Sequence, residues 1–371
     1  MKFTCKTQNI AKAVQVAKKA ISSNPSVPIF SGIHLLIEDE QLIINAMDLN
    51  MAISCKIAVA IEEKGEIVIP AKQFAELLSS LQTEEVTIAK NENKNNILIT
   101  SGKANFEIPL MNEADYPKFP LFNGDKQLII TDEMIKELIK KTIYACSTDE
   151  TRPLFTGILL EKKGQQVTFV GTNTHRLAIK TITLEQADES DLSIIIPARA
   201  LKEIISNLGN DLPQDVVISL LNRQIMIQLG NTTIVSSLIE GNFPDYRRVI
   251  PGQFNIKTTF KIKELEGAVK RVALFSSDND YSIIKISINT TEIVVNSSSN
   301  EVGSGMESIN CQTTGESLNV AFNARYILEI LKNIDGEEAT MELNSALSPI
   351  CIKSDNDEQY LYIVTPVRVV V

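Results

Sequence analysis

An α+β fold written three times over is what this sequence predicts. Two observations carry the prediction: a strand–helix signature recurs at constant spacing, and amphipathic helical stretches alternate with short apolar runs typical of strands. The signature reads VIPAKQFAELLSSL ending at Leu81, IIPARALKEIISNL ending at Leu208 and AFNARYILEILKNI ending at Ile334. In each copy an apolar strand leads to a helix-start residue (Pro70, Pro197, Asn323), then Ala, then a base (Lys72, Arg199, Arg325). Pro suits a first helical position and Asn a cap. The three starts lie 127 and 126 residues apart.

A second helical stretch opens each copy: NIAKAVQVAKKAI from Asn9, DEMIKELIKKTIYA from Asp132 and KIKELEGAVKRVALF from Lys261. A strand follows in the first two, PIFSGIHLLIE from Pro28 and PLFTGILLEKK from Pro153. Copies one and two close on related segments, ADYPKFP ending at Pro120 and FPDYRRVIP ending at Pro251. The apolar runs between, such as Gln41–Ile44, Val216–Ile218 and Ile293–Val295, are predicted strands. Ser297–Gly305, rich in Ser and Gly, reads as a loop. The boundaries fall so that residues 1–125, 126–252 and 253–371 each form a unit of ordinary domain size. Each is expected to hold two helices and about eight short strands.

The 371 residues are 44% apolar and 22% charged, enough for sizeable cores. No apolar stretch follows the first Lys and no 18 apolar residues run together, so neither a secretory signal nor a membrane helix is expected. Five scattered cysteines with no C-x-x-C pair suit a reduced, cytoplasmic setting.

The net charge of −10 argues against nucleic acid unless the positive charge is segregated. It is segregated: the six helical windows are together net positive, which leaves the rest of the chain strongly acidic. Lys12 and Lys19 are seven apart, as are Lys263 and Lys270, and Arg325 and Lys332. Lys136 and Lys140 are four apart, Arg199 and Lys202 three. These intervals keep each pair on one helical face. The apolar sets Ile10, Val14, Ala17, Ile21 and Ile262, Leu265, Val269, Val272 take the other. For one helix, a solvated surface explains such lysines. Six related stripes, joined by Lys72, suit sequence-blind contact with a phosphate backbone. No aromatics interleave with them for stacking on single strands.

The motifs of P-loops, dinucleotide folds, zincins and serine hydrolases are absent, and no nucleophile–base–orienter set assembles. His34 in GIHLLI reads as a core or sheet-face residue; His175, beside Arg176, reads as a hydrogen-bonded surface group. Asp278 and Asp280 lack a matching cluster for two-metal chemistry. The expectation is a protein without catalytic residues, metal or cofactor.

With those residues in view, the chain resembles the bacterial DNA polymerase III beta subunits, the sliding clamps. The likeness rests on the MKFT start, P-I-F-S-G, T-x-x-H-R-L-A over Thr172–Ala178, F-P-D-Y-R-R-V-I-P over Phe243–Pro251, N-A-R-Y from Asn323 and T-P-V-R over Thr365–Arg368. It implies three clamp domains per chain and a head-to-tail homodimer, first domain to third, closing as a ring around duplex DNA. One chain is then half of the ring. It also implies that the replicative polymerase, the clamp loader and repair proteins dock short linear peptides into a pocket. The matching positions are Phe155, Thr172, His175, Arg176, Leu177, Pro244, Val249, Asn323, Leu347, Pro349, Ile363, Pro366, Val367 and Arg368. Periodicity alone makes Leu177, Val249 and Ile363 plain core. By the same resemblance Arg152 is a candidate DNA contact on a loop, whereas Asn24 stands where relatives often carry a base. Asn173-Thr174 replaces the family's usual Asp-Gly, and Val370 and Val371 extend past the usual end. A peptide-binding scaffold without DNA encirclement, or a nuclease, would be the competing readings.

Overall fold

The computed structural model describes residues 1–22, 24–91, 93–122, 124, 126–185, 191–207, 214–276, 282–299 and 301–368. Asp278, Asp280, Val370 and Val371 lie outside them. Six helices recur two per repeat: α1 (Thr7–Lys18), α2 (Ala71–Ser80), α3 (Asp132–Thr142), α4 (Ala198–Asn207), α5 (Ile262–Val272) and α6 (Ala324–Asn333). The described strands number nine, eight and eight in the successive repeats. Helices of ten to twelve residues are marginal alone in water, so these exist by docking an apolar face. Ile10, Ala13, Val14 and Ala17 are buried on α1, and Ile262, Leu265, Ala268, Val269 and Val272 on α5. Ile21 falls beyond α1 and is half-buried.

Two details differ from the sequence reading at helix starts. Pro70 and Pro197 end strands and stand just before the first helical residue, not at it; Asn323, also the last residue of a strand, caps α6, its side chain accepting from the Arg325 N–H at 2.9 Å. The segments Pro28–Ser31 and Pro153–Thr156 are 3-10 turns, and the strands begin only at Gly32 and Gly157. Proline's fixed φ and missing N–H favour the turn. The larger correction concerns Ser297–Gly305. Ser297 sits in strand Glu292–Ser299 and Gly305 in strand Gly303–Thr314, and the two residues face each other in one antiparallel hairpin. The small residues make room for an aromatic ring: a Cβ on Gly305 would stand 2.5 Å from the Phe275 side chain.

The chain divides into two compact units that do not follow the repeats. One comprises residues 1–136 with 199–238, the other 137–198 with 239–371. Sheet pairing explains the division. In the first unit, strand Met51–Ala58 of repeat one pairs with Thr232–Ser237 of repeat two, with Thr232 opposite Cys55 and Ser236 opposite Met51. That pairing fuses four strands from each repeat into an eight-stranded sheet. Beside the seam, Arg199 on α4 bonds Asp48 at 2.7 Å and the carbonyls of Lys19 and Ala20, and Lys19 pairs with Glu203 at 3.0 Å. In the second unit the same device recurs: Arg176–Thr183 of repeat two pairs with Asp357–Val364 of repeat three within a twelve-stranded sheet. There Lys141 on α3 reaches Asp335 at 2.6 Å and the carbonyl of Asn333, the last residue of α6.

Two counterparts of these strands keep a free edge. Ala104–Pro109, the last strand of repeat one, ends its five-stranded sheet. Gly303–Asn310 of repeat three pairs only with Glu292–Ser299; its register with the strand beginning at Ile256 starts at Cys311.

All five cysteines are free and buried. Burial pushes the thiols of Cys5 and Cys351 up to about 12 and that of Cys55 to about 11. Among the described residues no helix is long and apolar enough to cross a membrane, and no three His, Cys, Asp or Glu side chains are grouped to hold a metal ion.

Candidate functional site

In the second unit an open apolar cavity of about 320 Å³ forms where several chain segments meet. Strand Gln166–Thr172 turns through Asn173–His175 into strand Arg176–Thr183, whose outer neighbour is Asp357–Val364. Leu177 stands opposite both Thr172 and Ile363 in these registers, so the three share one patch of sheet. Leu177 and Ile363 are 4% and 2% exposed: they are core residues whose outer surface forms the floor. Phe155 and Phe243 meet edge to face at 6.2 Å to build one wall. Val249, 49% exposed, contributes apolar surface in the open.

The wall segment around Tyr246 is held by charge. Glu161 Oε2 accepts from the Tyr246 hydroxyl at 2.7 Å and from Arg247 Nη2 at 2.6 Å, and the Arg247 guanidinium lies 4.5 Å from the Tyr246 ring centre. Burial works against ionising Glu161, but the hydrogen bonds from Tyr246 and Arg247 outweigh it and hold its carboxyl below the ordinary value. A carboxyl whose folded pKa is depressed adds stability above its unfolded pKa, about 4.3, and loses it as pH falls through the folded value. Glu161→Gln is therefore expected to lower the urea midpoint at pH 6, with the gap to wild type closing as pH drops below about 4. Equal gaps at pH 6 and pH 3 would show that Glu161 gains nothing from its charge.

The turn beside the cavity is over-determined. Asn173 Oδ1 accepts from the N–H of His175 and of Arg176, both at 3.1 Å, and Thr172 Oγ1 accepts from the Thr174 N–H at 3.1 Å. The His175 carbonyl accepts from Thr365 N–H at 2.9 Å and Oγ1 at 2.8 Å. Thr174 sits at φ 77°, where a β-branched side chain is strained. This is the conformation that glycine takes freely, and the turn's hydrogen bonds hold threonine in it.

Nine of the fourteen pocket positions expected from sequence line this cavity: Phe155, Thr172, His175, Arg176, Leu177, Pro244, Val249, Pro349 and Ile363. Five do not. Asn323 is buried as the α6 cap, Leu347 and Val367 line a separate hollow of about 440 Å³, and Pro366 and Arg368 follow in the terminal segment. Arg176 lines the cavity, yet its guanidinium turns inward. It pairs with Glu329, donates to the Tyr144 carbonyl and lies 4.4 Å from the Tyr326 ring centre. Thr174, Phe243, Asp245, Tyr246 and Thr365 also line the cavity and are not among the pocket positions expected from sequence. Four of these lie inside quoted motifs and Thr365 opens the terminal one, so the missing signal was orientation, not position.

The twelve expected cationic positions fall into two groups. Lys12, Lys72, Lys140, Lys202, Lys263 and Lys332 are exposed on their helices, Lys136 is half-exposed, and none has a carboxylate partner among the described residues. The other five are paired: Lys19 and Arg199 at the seam, Arg152 with Asp149 at 2.9 Å, Lys270 with Glu266 at 2.5 Å and Arg325 with Glu329 at 3.0 Å. His34, half-buried on its strand, meets Glu66 at 3.0 Å, and Asn24 is exposed.

Comparison with known proteins agrees with this architecture. Models of the DNA polymerase III beta subunit match its N-terminal domain to residues 1–120, its central domain to 129–245 and its C-terminal domain to 247–368. The beta sliding clamp of Bacillus subtilis strain 168 is 30% identical over 378 residues, spanning 99% of this chain and all of the relative. The crystal structure of the Bacillus subtilis clamp superposes with a TM-score of 0.94 at 29% identity, over the whole of both chains. A beta chain from Streptococcus pneumoniae gives 0.93 at 30% identity, over 99% of this chain and all of that one. The clamp of Bartonella birtlesii, crystallised bound to griselimycin, gives 0.93 at 27% over both full lengths. Three alike α+β domains, joined sheet to sheet, define the DNA-clamp architecture. The chain belongs to the DNA polymerase III beta subunit family, and it is a DNA sliding clamp.

Proposed function

We propose that two copies close head to tail around duplex DNA and hold the replicative polymerase, the clamp loader and repair proteins on it through short peptides bound in the apolar cavity. The carrying observation is the pair of free edges. The last strand of a repeat pairs with the fourth strand of the repeat before it, twice within the chain. Among the corresponding described strands, Ala104–Pro109 and Gly303–Asn310 lack such a partner, and a second copy supplies both. The contact is heterologous and closes after two subunits, leaving neither of these two edges open. The helix pattern extends with it: α1 meets α4 and α3 meets α6 within the chain, so α5 would meet α2 of the other copy.

The exposed lysines of the helices supply loose, sequence-blind contact, and retention on DNA is topological. No chemical step is assigned to the chain. The cavity, with an apolar floor, an aromatic wall and a few polar groups at its mouth, suits a short peptide with apolar anchors. Griselimycin, bound by the Bartonella clamp, is a ready probe for it.

The test joins a solution mass to a primer-extension assay with a clamp loader. The expected results are a species of twice the 41.0 kDa chain mass and longer products when the protein is added. Val249→Asp is expected to weaken griselimycin binding at least tenfold, because it sets an unpaired charge against the anchor. A monomer at micromolar concentration, or products of unchanged length, would overturn the reading.

A further inference from the structure

We propose that Glu329 couples the apolar cavity to the cations of α6, so that a polyanion engaging Arg325 tightens the cavity for its peptide. The inference rests on the reading of the cavity as the partner site and of α6 as a helix that meets DNA. Its support is one carboxylate shared by two guanidinium groups of opposite exposure. Glu329 Oε1 accepts from Arg325 Nε at 3.0 Å, an i,i+4 pair whose arginine side chain is 72% exposed. Glu329 Oε2 pairs with Arg176, whose side chain is 4% exposed and whose neighbours His175 and Leu177 both line the cavity.

The turn that borders the cavity is fastened to α6 at three points. Asn173 Nδ2 donates to the Tyr326 hydroxyl at 3.1 Å, the Arg176 guanidinium stacks on the Tyr326 ring, and Arg176 pairs with Glu329. Only the last is shared with a group that solvent and ions can reach. A buried guanidinium feels its carboxylate in a medium of low polarity, where each change in the partner's engagement counts for more than at the surface. When phosphate draws Arg325 away, Glu329 is left wholly to Arg176. The turn is then held more firmly, and less ordering remains to be done when a peptide enters. By linkage, peptide in the cavity must favour polyanion at Arg325 by the same factor. Glu329 is thus a positioning residue, acting through Arg176.

The experiment measures griselimycin affinity of the full chain at low salt, with and without a saturating linear duplex. Duplex is expected to tighten binding about two- to fivefold, the range an exposed ion pair can supply. Arg325→Ala, a surface change, is expected to give the same tightening without DNA and to abolish the response to it. Glu329→Gln should abolish the response while duplex binding through the other lysines persists. Equal griselimycin affinity for wild type and Arg325→Ala, or an undiminished duplex response in Arg325→Ala, would overturn the coupling. Failure of the underlying site reading is distinguished by Val249→Asp: if that change leaves griselimycin affinity intact, the probe does not occupy this cavity.

Discussion

Replacing Leu274 and Met306 together by aspartate is expected to convert the proposed head-to-tail dimer into monomers. Leu274 is 72% exposed in the turn after α5, and Met306 is 77% exposed on the free strand Gly303–Asn310. Val302 adds a third exposed apolar side chain at the same hairpin, 49% exposed. Apolar side chains grouped at an unpaired sheet edge mark an association surface and not a solvated one. Anchors at the centre of an interface each contribute about 2 kcal/mol or more, so two introduced charges should weaken self-association about a hundredfold to a thousandfold. Sedimentation equilibrium would read the change as a shift from twice the chain mass to the chain mass, with helicity retained. Gly305→Val offers an independent route: its side chain would collide with Phe275 and push the ring through the edge. Persistence of the dimer in both variants would place the interface elsewhere.

Reversing the charge of Lys12, Lys140, Lys263 and Lys332 is expected to reduce duplex affinity at least tenfold at 50 mM salt and to shorten primer-extension products. These four are exposed on four different helices and have no carboxylate partner among the described residues, so folding gains nothing from their charge. Each phosphate contact removed lowers the logarithmic salt slope by about 0.9, and the quadruple variant should lose up to about three or four units of slope. Reversing Arg199 is a different experiment. Its guanidinium is already committed to Asp48 and two carbonyls at the seam, so the expected result is lost stability. A quadruple variant with wild-type salt dependence would remove the helices from the DNA-facing role.

Helices and repeats were legible from sequence because their signal is local. Ile10, Val14 and Ala17 recur at helical spacing and are buried, and the bases at Lys12, Lys263 and Lys332 face out. Strand pairing between repeats was not legible. Nothing in MAISCKIA states that its partner lies near residue 234, since backbone hydrogen bonds carry no sequence label. The Ser- and Gly-rich hairpin at 297–305 misled for a related reason: small residues there make room for Phe275, not for a loop. At the cavity, alternation correctly placed Leu177 and Ile363 inside, yet it could not reveal that their outer surfaces are the floor. Arg176 shows the converse. A charged residue in a turn motif suggests solvent, but Tyr144, Tyr326 and Glu329 supply an interior site for its guanidinium.

The cross-repeat ladders bear on where such an assembly yields under load. The ladders at Met51–Ala58 and Arg176–Thr183 lie within single continuous chains, so prying them apart still leaves their repeats tethered by backbone. A joint between separate molecules has no such leash. A machine that must open the proposed circle can therefore concentrate its work at the two joints between molecules.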